Sequence, residues 1–159
     1  MGLLKIEHIK AILKMPEVSE RFRTAHGREW NQNDVAIMYQ SFEKHLFASL
    51  QDFTTPVPGV VETMEQLRRE GIRIGSTTGY TDAMMKIVQP GAAAQGYTVD
   101  CLVTPDHLPA GRPAPYMIYR NMTELAIPSV DEVVKVGDTI ADIREGLNTK
   151  LCLNRSYIL

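Results

Sequence analysis

The chain reads as an α/β protein, a parallel, doubly wound sheet preceded by an all-helical segment. Three features predict this. From residue 60 onward, short apolar runs alternate with amphipathic helical patterns, the rhythm of strands joined by helices. The run Val133, Val134 and Val136 is broken only by Lys135 and bounded by Gly137; short and β-branched, it suits a buried parallel strand. Residues 1–50 read as helical, and no strand pattern occurs before residue 71.

In chain order, Leu3, Leu4, Ile6, Ile9, Ile12 and Leu13 recur at helical spacing up to Met15-Pro16, where proline stops the pattern. A polar stretch around Arg21 to Trp30 follows. Asn33 or Asp34 can then cap a second helix with Val35, Met38, Phe42, Leu46 and Leu50 on its apolar face. Two prolines and a glycine in Thr54–Gly59 mark a hinge. The expected division is therefore a helical unit at 1–53, a hinge at 54–59 and a core at 60–159. Val60 to Glu70 predicts a helix with Val60, Met64 and Leu67 as its stripe and Gly71 as C′ residue. Ile72–Gly75 predicts a short strand that delivers Ser76-Thr77-Thr78-Gly79-Tyr80. A helix follows from Thr81 through Val88, which Pro90 must end or kink. Val99–Thr104 is the next strand; a proline-rich loop over 105–115 leads into a helix through Leu125. After the strand at 133–136, a helix runs from about Ile140 to Leu147, and Leu151-Cys152-Leu153 makes one more strand.

Composition narrows the function classes. The 159 residues are 44% hydrophobic and 23% charged, ordinary for a globular domain. A net charge of −2, with 17 basic residues scattered rather than striped, makes no electrostatic case for nucleic acid or an anionic membrane. No apolar run approaches the roughly 18 residues of a membrane span, and MGLLKIEHIK lacks the layout of a secretion signal. Cys101 and Cys152 lie in apolar segments and read as buried thiols of a reducing compartment, so the expected location is cytoplasmic.

Three strand ends carry the polar groups that could do chemistry. Ser76-Thr77-Thr78-Gly79 offers hydroxyls and free backbone N–H groups, a phosphate cradle or simply a helix cap. Gly111-Arg112-Pro113 offers a permanently charged guanidinium, suited to a phosphoryl oxygen or, equally, to solvent. Gly137-Asp138 with Asp142 four residues on offers two carboxylates suited to a hard cation such as Mg²⁺, or an N-cap and a first-turn acid. Ligands of open α/β sheets sit outside the carboxyl ends of the strands. A hydroxyl, a fixed cation and a carboxylate pair at successive ends meet the positioning and charge requirements of phosphoryl transfer.

The order strand-S/T, then Arg, then GDxxxD resembles the second to fourth motifs of the haloacid dehalogenase superfamily. More narrowly, MGLLKIEHI, GSTTGYTDAMM, AGRPAPYMIYRN and KVGDTIADIREG are similar to the phosphonoacetaldehyde hydrolase (phosphonatase) family, from Met1 to about Asn148. The resemblance implies a Rossmann-like core under an N-terminal helical cap, with hydrolysis of the C–P bond of phosphonoacetaldehyde to acetaldehyde and phosphate. It implies Lys5 as the Schiff-base amine, with His8 three residues on; Thr78 as the motif-two hydroxyl, with Ser76 second; and Arg112 as the motif-three cation. Met1, Gly2, Ser76, Thr77, Gly79 and Tyr80 would line the substrate. Asp138 would bind Mg²⁺ with Asp142 supporting it. The implied partners are the small phosphonate and a second copy through the cap helices.

The chain departs from that family in one respect that bears on chemistry. The family's opening strand carries D-x-A-G-T-T, whose first Asp is the nucleophile, and no such motif occurs in these residues. That strand lies mid-sheet, between those ending at Thr77 and at Asp138. The expectation is an incomplete, truncated core, with a gap or rearrangement in the sheet, unpaired edges and an exposed apolar face. Little or no C–P hydrolysis follows. The alternative expectation is a non-catalytic protein that pairs with a full-length homologue.

Overall fold

The computed structural model describes residues 3–150 and the backbone of Ser156–Tyr157. Two compact units emerge, Leu4–Ser49 and the residues from Leu50 onward.

The first unit holds α1 (Lys5–Leu13), α2 (Pro16–His26) and α3 (Gln32–Ser49). Leu13, Phe22 and Val35 form its buried centre, with Ile6, Ile9, Val18 and Trp30 packed around them. Pro16 acts differently from the expectation. It opens α2 at a first-turn position, where its missing N–H costs nothing, while α1 has already ended. The supposed polar stretch is thus partly helix; only Val18 and Phe22 face inward, too narrow a stripe for periodicity to reveal. Gly27, at φ 68°, terminates α2 in the left-handed conformation that glycine adopts without strain. The apolar face of α3 also needs correction: Val35 is buried, but Met38 and Phe42 remain exposed.

The cap of α3 is Asn31, not Asn33 or Asp34. The Asn31 side chain accepts from the N–H groups of Asn33 (2.9 Å) and Asp34 (3.2 Å), and Asp34 reaches back to accept the N–H of Asn31 (2.8 Å). This is a reciprocal capping box. Asp34 also takes both guanidinium nitrogens of Arg28, at 2.7 and 2.8 Å. The Arg28 hydrogen bonds, and then that from Asn31, hold its carboxyl at about 2. A carboxyl so depressed contributes stability that is fully present above its unfolded value of about 3.9 and is lost as pH falls through about 2. Asp34→Asn is therefore expected to unfold at lower urea than the parent at pH 5, with the difference narrowing as pH falls through about 2 and gone only below it. A difference that stays constant over that range would show that the pair contributes nothing.

The second unit carries a 3₁₀ turn (Leu50–Phe53), α4 (Val60–Arg69), β1 (Gly75–Thr77), α5 (Asp82–Ala93), β2 (Cys101–Val103), α6 (Tyr116–Glu124), a 3₁₀ turn (Val130–Glu132), β3 (Lys135–Val136), α7 (Ile140–Asn148) and β4 (Ser156–Tyr157). Leu50, Met64, Met84, Ala92, Val103, Met117, Ile118 and Ala141 are its buried apolar groups among the described residues. Gly71, at φ 77°, ends α4 as expected, with the Ile72 N–H bonded back to the Leu67 carbonyl.

Strands pair in two separate parallel couples. β1 pairs with β2 in the register Gly75↔Cys101, Ser76↔Leu102 and Thr77↔Val103; β3 pairs with β4 through Lys135↔Ser156 and Val136↔Tyr157. Among the described residues no ladder joins β1 to β3. This is the expected gap, and Val134, Val136, Ile140 and Leu147 are exposed beside it. Parallel strands alternating with helices bear out the α/β expectation.

Several boundaries differ from the sequence reading. β1 begins at Gly75 rather than Ile72, because the Ile74 N–H is taken by the Asp100 carboxylate at 2.7 Å. Helix α5 continues past Val88 to Ala93 with Pro90 inside it. Pro90 lies in an exposed final turn, where the lost hydrogen bond costs less than in a buried interior. The strand expected at 151–153, and Cys152 with it, lie outside the described residues; the pairing strand is Ser156–Tyr157. Cys101 is a half-buried free thiol, and burial pushes it above the usual thiol value.

Candidate active site

Loops following β1, β2 and β3 bring their polar groups to one buried cluster. Thr77 closes β1. Arg112 stands in the loop between β2 and α6, after the buried Gly111. Gly137, Asp138 and Thr139 follow β3, and Thr139 caps α7: its hydroxyl accepts the Asp142 N–H at 3.2 Å and donates to the Asp142 carboxylate at 2.5 Å. Gly137 permits this approach because a Cβ there would sit 2.4 Å from Cβ of Asp142.

Asp142 is the centre of the cluster. Its side chain is 5% exposed, paired with Arg112 on one side and with Lys135 Nζ at 3.0 Å on the other. Burial alone would raise this carboxyl. Hydrogen bonds from Thr139 and Lys135, and the charges of Lys135 and Arg112, outweigh burial and bring it down to about 2. Lys135 also lies 2.9 Å from Glu145 Oε2 and donates to Thr77 Oγ1 at 2.8 Å. The Thr77 hydroxyl donates in turn to Glu145 Oε2 at 3.0 Å. Two cations and two carboxylates therefore balance, with Glu145 fully buried. Two buried atoms of the cluster, Arg112 Nε and Glu145 Oε1, have no hydrogen-bond partner among the described residues.

Of the residues singled out from sequence, Thr77, Arg112 and Asp142 meet here. Thr78 turns its hydroxyl to its own loop, accepting the Tyr80 N–H at 3.1 Å. Gly79 is buried, Ser76 and Tyr80 are half-buried, and the Ser76 carbonyl accepts from Asn121 Nδ2 at 3.1 Å. Asp138 is exposed at the turn before α7. Lys5 and His8 belong to the helical unit, on one face of α1 three residues apart. Burial and neighbouring positive charge, Lys5 included, hold the His8 ring below the usual histidine value and so favour its neutral form. Met1 and Gly2 lie outside the described residues.

Lys135 and Glu145 were missed. A faint signal existed: a lysine is the one interruption of an apolar strand, and Glu145 follows Asp142 by three residues, on the same face of α7.

Asp142 is flanked by two cations, which leaves Asp138 as the open carboxylate at the turn. Mg²⁺ is ordinarily held by one or two carboxylates, with waters and phosphate oxygens completing its octahedral shell, so Asp138 is the described group that would hold it. Among the described residues no group of three or more His, Cys, Asp or Glu side chains could hold a metal.

A phosphonoacetaldehyde hydrolase of Parabacteroides distasonis is 73% identical over 151 residues, 95% of this chain and 57% of its own length. The enzyme of the same name from Bacillus cereus is 48% identical over 148 residues, 93% of this chain and 56% of its own. A crystal structure of a phosphonoacetaldehyde hydrolase-like protein from Oleispira antarctica superimposes with a TM-score of 0.87 at 31% identity, covering 94% of this chain and 54% of that one. The chain thus spans rather more than half the length of these relatives. Residues 5–148 match the family described as haloacid dehalogenase-like hydrolase. With strand-end loops that gather a hydroxyl, a guanidinium and a carboxylate at one cluster, the chain belongs to the haloacid dehalogenase-like hydrolase family.

Proposed function

We infer that this chain carries the phosphoryl-binding and amine-bearing parts of a phosphonoacetaldehyde hydrolase and acts on a small phosphonate aldehyde. The 73% identity to an enzyme of that name supports the substrate class. The observation that carries the reading is the meeting of Thr77 from the end of β1, Arg112 from the loop after β2 and Asp142 from the first turn of α7 at one charge-balanced cluster. Arg112, fixed by Asp142, is the group best suited to a phosphoryl oxygen.

The chemistry asked of Lys5 follows from the bond to be broken. Direct cleavage of a C–P bond would leave an unstabilised carbanion. Condensation of the Lys5 amine with the aldehyde releases water and forms an imine, and the electron pair of the breaking C–P bond then moves into an enamine. A neighbouring neutral His8 is suited to moving the proton that this condensation requires. The phosphoryl group needs an acceptor, and the family's D-x-A-G-T-T aspartate has no counterpart in these residues. Mg²⁺ is the cofactor the resemblance implies; held by Asp138, it would offset phosphoryl charge.

Incubation with phosphonoacetaldehyde and Mg²⁺ is expected to release phosphate barely above the blank. Borohydride reduction in the presence of the aldehyde is expected to trap an adduct on Lys5, identifiable by mass spectrometry and absent from Lys5→Arg. Phosphate release at an ordinary enzymatic rate would mean another residue replaces the aspartate. A wild-type chain that traps nothing would remove Lys5 from the mechanism. The compartment consistent with this chemistry is the cytoplasm.

A second reading, a non-catalytic partner of a longer homologue, is favoured by the unladdered interval between β1 and β3 and by the exposed Val134, Val136, Ile140 and Leu147. Exposed Ile37, Met38 and Phe42 on α3 suit self-association through the helical unit. Size-exclusion chromatography with and without the full-length homologue separates these readings: co-elution supports the partner role.

A further inference from the structure

We propose that Lys135 is a positioning residue, which ties the end of β1 to the head of α7 where no backbone ladder joins the two sheets. Backbone hydrogen bonds ordinarily keep the ends of neighbouring strands in step. Between β1 and β3 none is present among the described residues, yet the loops after both strands supply the site. What spans the interval is a side chain. The Lys135 ammonium meets Thr77 of β1 at 2.8 Å, Asp142 in the first turn of α7 at 3.0 Å and Glu145 one turn later at 2.9 Å. An ammonium has three donors, and these three contacts use all of them. Thr77 closes the ring by donating to Glu145.

The position of Arg112 depends on this ring. Its guanidinium is held through Asp142, and Asp142 is oriented by Lys135 and Thr139. Arg112 Nε is buried with no hydrogen-bond partner among the described residues, so none of these fixes the group from that edge. Lys135 therefore acts at one remove, setting the carboxylate that sets the guanidinium. It touches no reacting atom. The role rests on the phosphoryl-binding reading given above, and it names a residue which that reading lacked.

The test uses the full chain, inorganic phosphate as the probe and three proteins: wild type, Glu145→Gln, and the double variant Lys135→Met with Glu145→Gln. The double variant removes both charges with side chains of similar size, so it folds without a stranded buried charge. Amide resonances of Thr77–Gly79 and Thr139–Asp142 are expected to move further in the double variant than in Glu145→Gln, which keeps the Lys135 contacts to Thr77 and Asp142. Phosphate affinity is expected to fall about 10–100-fold in the double variant, as when supporting hydrogen-bond partners are lost elsewhere, and to fall by a smaller factor in Glu145→Gln. A folded double variant whose amides stay at their wild-type positions overturns the proposal, since Lys135 would then do no more than balance charge. A wild-type chain that binds no phosphate overturns the phosphoryl-binding reading instead, and the amide shifts still decide whether Lys135 positions the loops.

Discussion

Replacing Gly137 with alanine is expected to cost about 3–5 kcal/mol of stability and to abolish phosphate binding. The glycine is not needed for its backbone freedom, since it is not among the residues with positive φ. It is needed for room: a Cβ would lie 2.4 Å from Cβ of Asp142, 2.5 Å from its Cγ and 2.9 Å from Oδ1. Asp142 has nowhere to go, because its carboxylate is held by Arg112, Lys135 and Thr139 and its backbone opens α7. Either the first turn of α7 shifts away from β3 or the buried ion pairs break. Overpacking alone costs about 1–3 kcal/mol, and breaking a buried pair about 3–5. Shifting the turn also carries the Asp142 carboxylate away from Arg112 and Lys135, so the larger figure governs and the two do not add. Gly27→Ala is the control. Gly27 has φ 68° and no atom within 4 Å of an added Cβ, so only backbone strain of about 1–2 kcal/mol applies. Urea midpoints compare the two variants directly. Equal losses would mean that the Gly137–Asp142 approach is not what constrains the turn.

What the sequence made legible was largely local. Gly71 as a helix stop and the Thr54–Gly59 break are read from residues within a few positions of the feature, and the structure retains the helix that Gly71 ends. Boundaries went astray where a partner came from far along the chain. The start of β1 was misjudged because its Ile74 N–H is taken by Asp100, 26 residues away. Residues 1–50 read as helical, but periodicity does not set α2 apart within them because it buries little beyond Phe22. At the site, the spacing of Asp138 and Asp142 and the Gly-Arg-Pro loop point to segments that meet in the structure. It did not rank the residues within them. Adjacent hydroxyls divide the work: Thr77 enters the cluster and Thr78 braces its own loop, and nothing in the run Thr77-Thr78 distinguishes them. Lys135 and Glu145 were illegible for a common reason. A charged side chain in an apolar strand, or on a helix, reads as a solvated group, and only its partners reveal that it is buried.

Those partners make the second large effect unequal for the two residues. Lys135→Met is expected to destabilise the chain by about 3–5 kcal/mol, the range for stranding a buried charge, whereas Glu145→Gln should cost no more than about 1–3, the range for a buried hydrogen-bonding group left imperfectly matched. Without Lys135, two carboxylates share one guanidinium, and Glu145, 0% exposed with Oε1 already unpaired, keeps only the Thr77 hydroxyl. Without the Glu145 charge, Lys135 keeps Asp142 and Thr77, and its side chain, 10% exposed, can move its ammonium toward water. Adding Glu145→Gln to Lys135→Met should therefore recover part of the loss, because the second substitution removes the stranded charge. Chemical unfolding of the four proteins closes this cycle. If the two single changes cost the same and the double change costs their sum, the ammonium and the carboxylate do not share one buried network, and the bridge from β1 to α7 must be built differently.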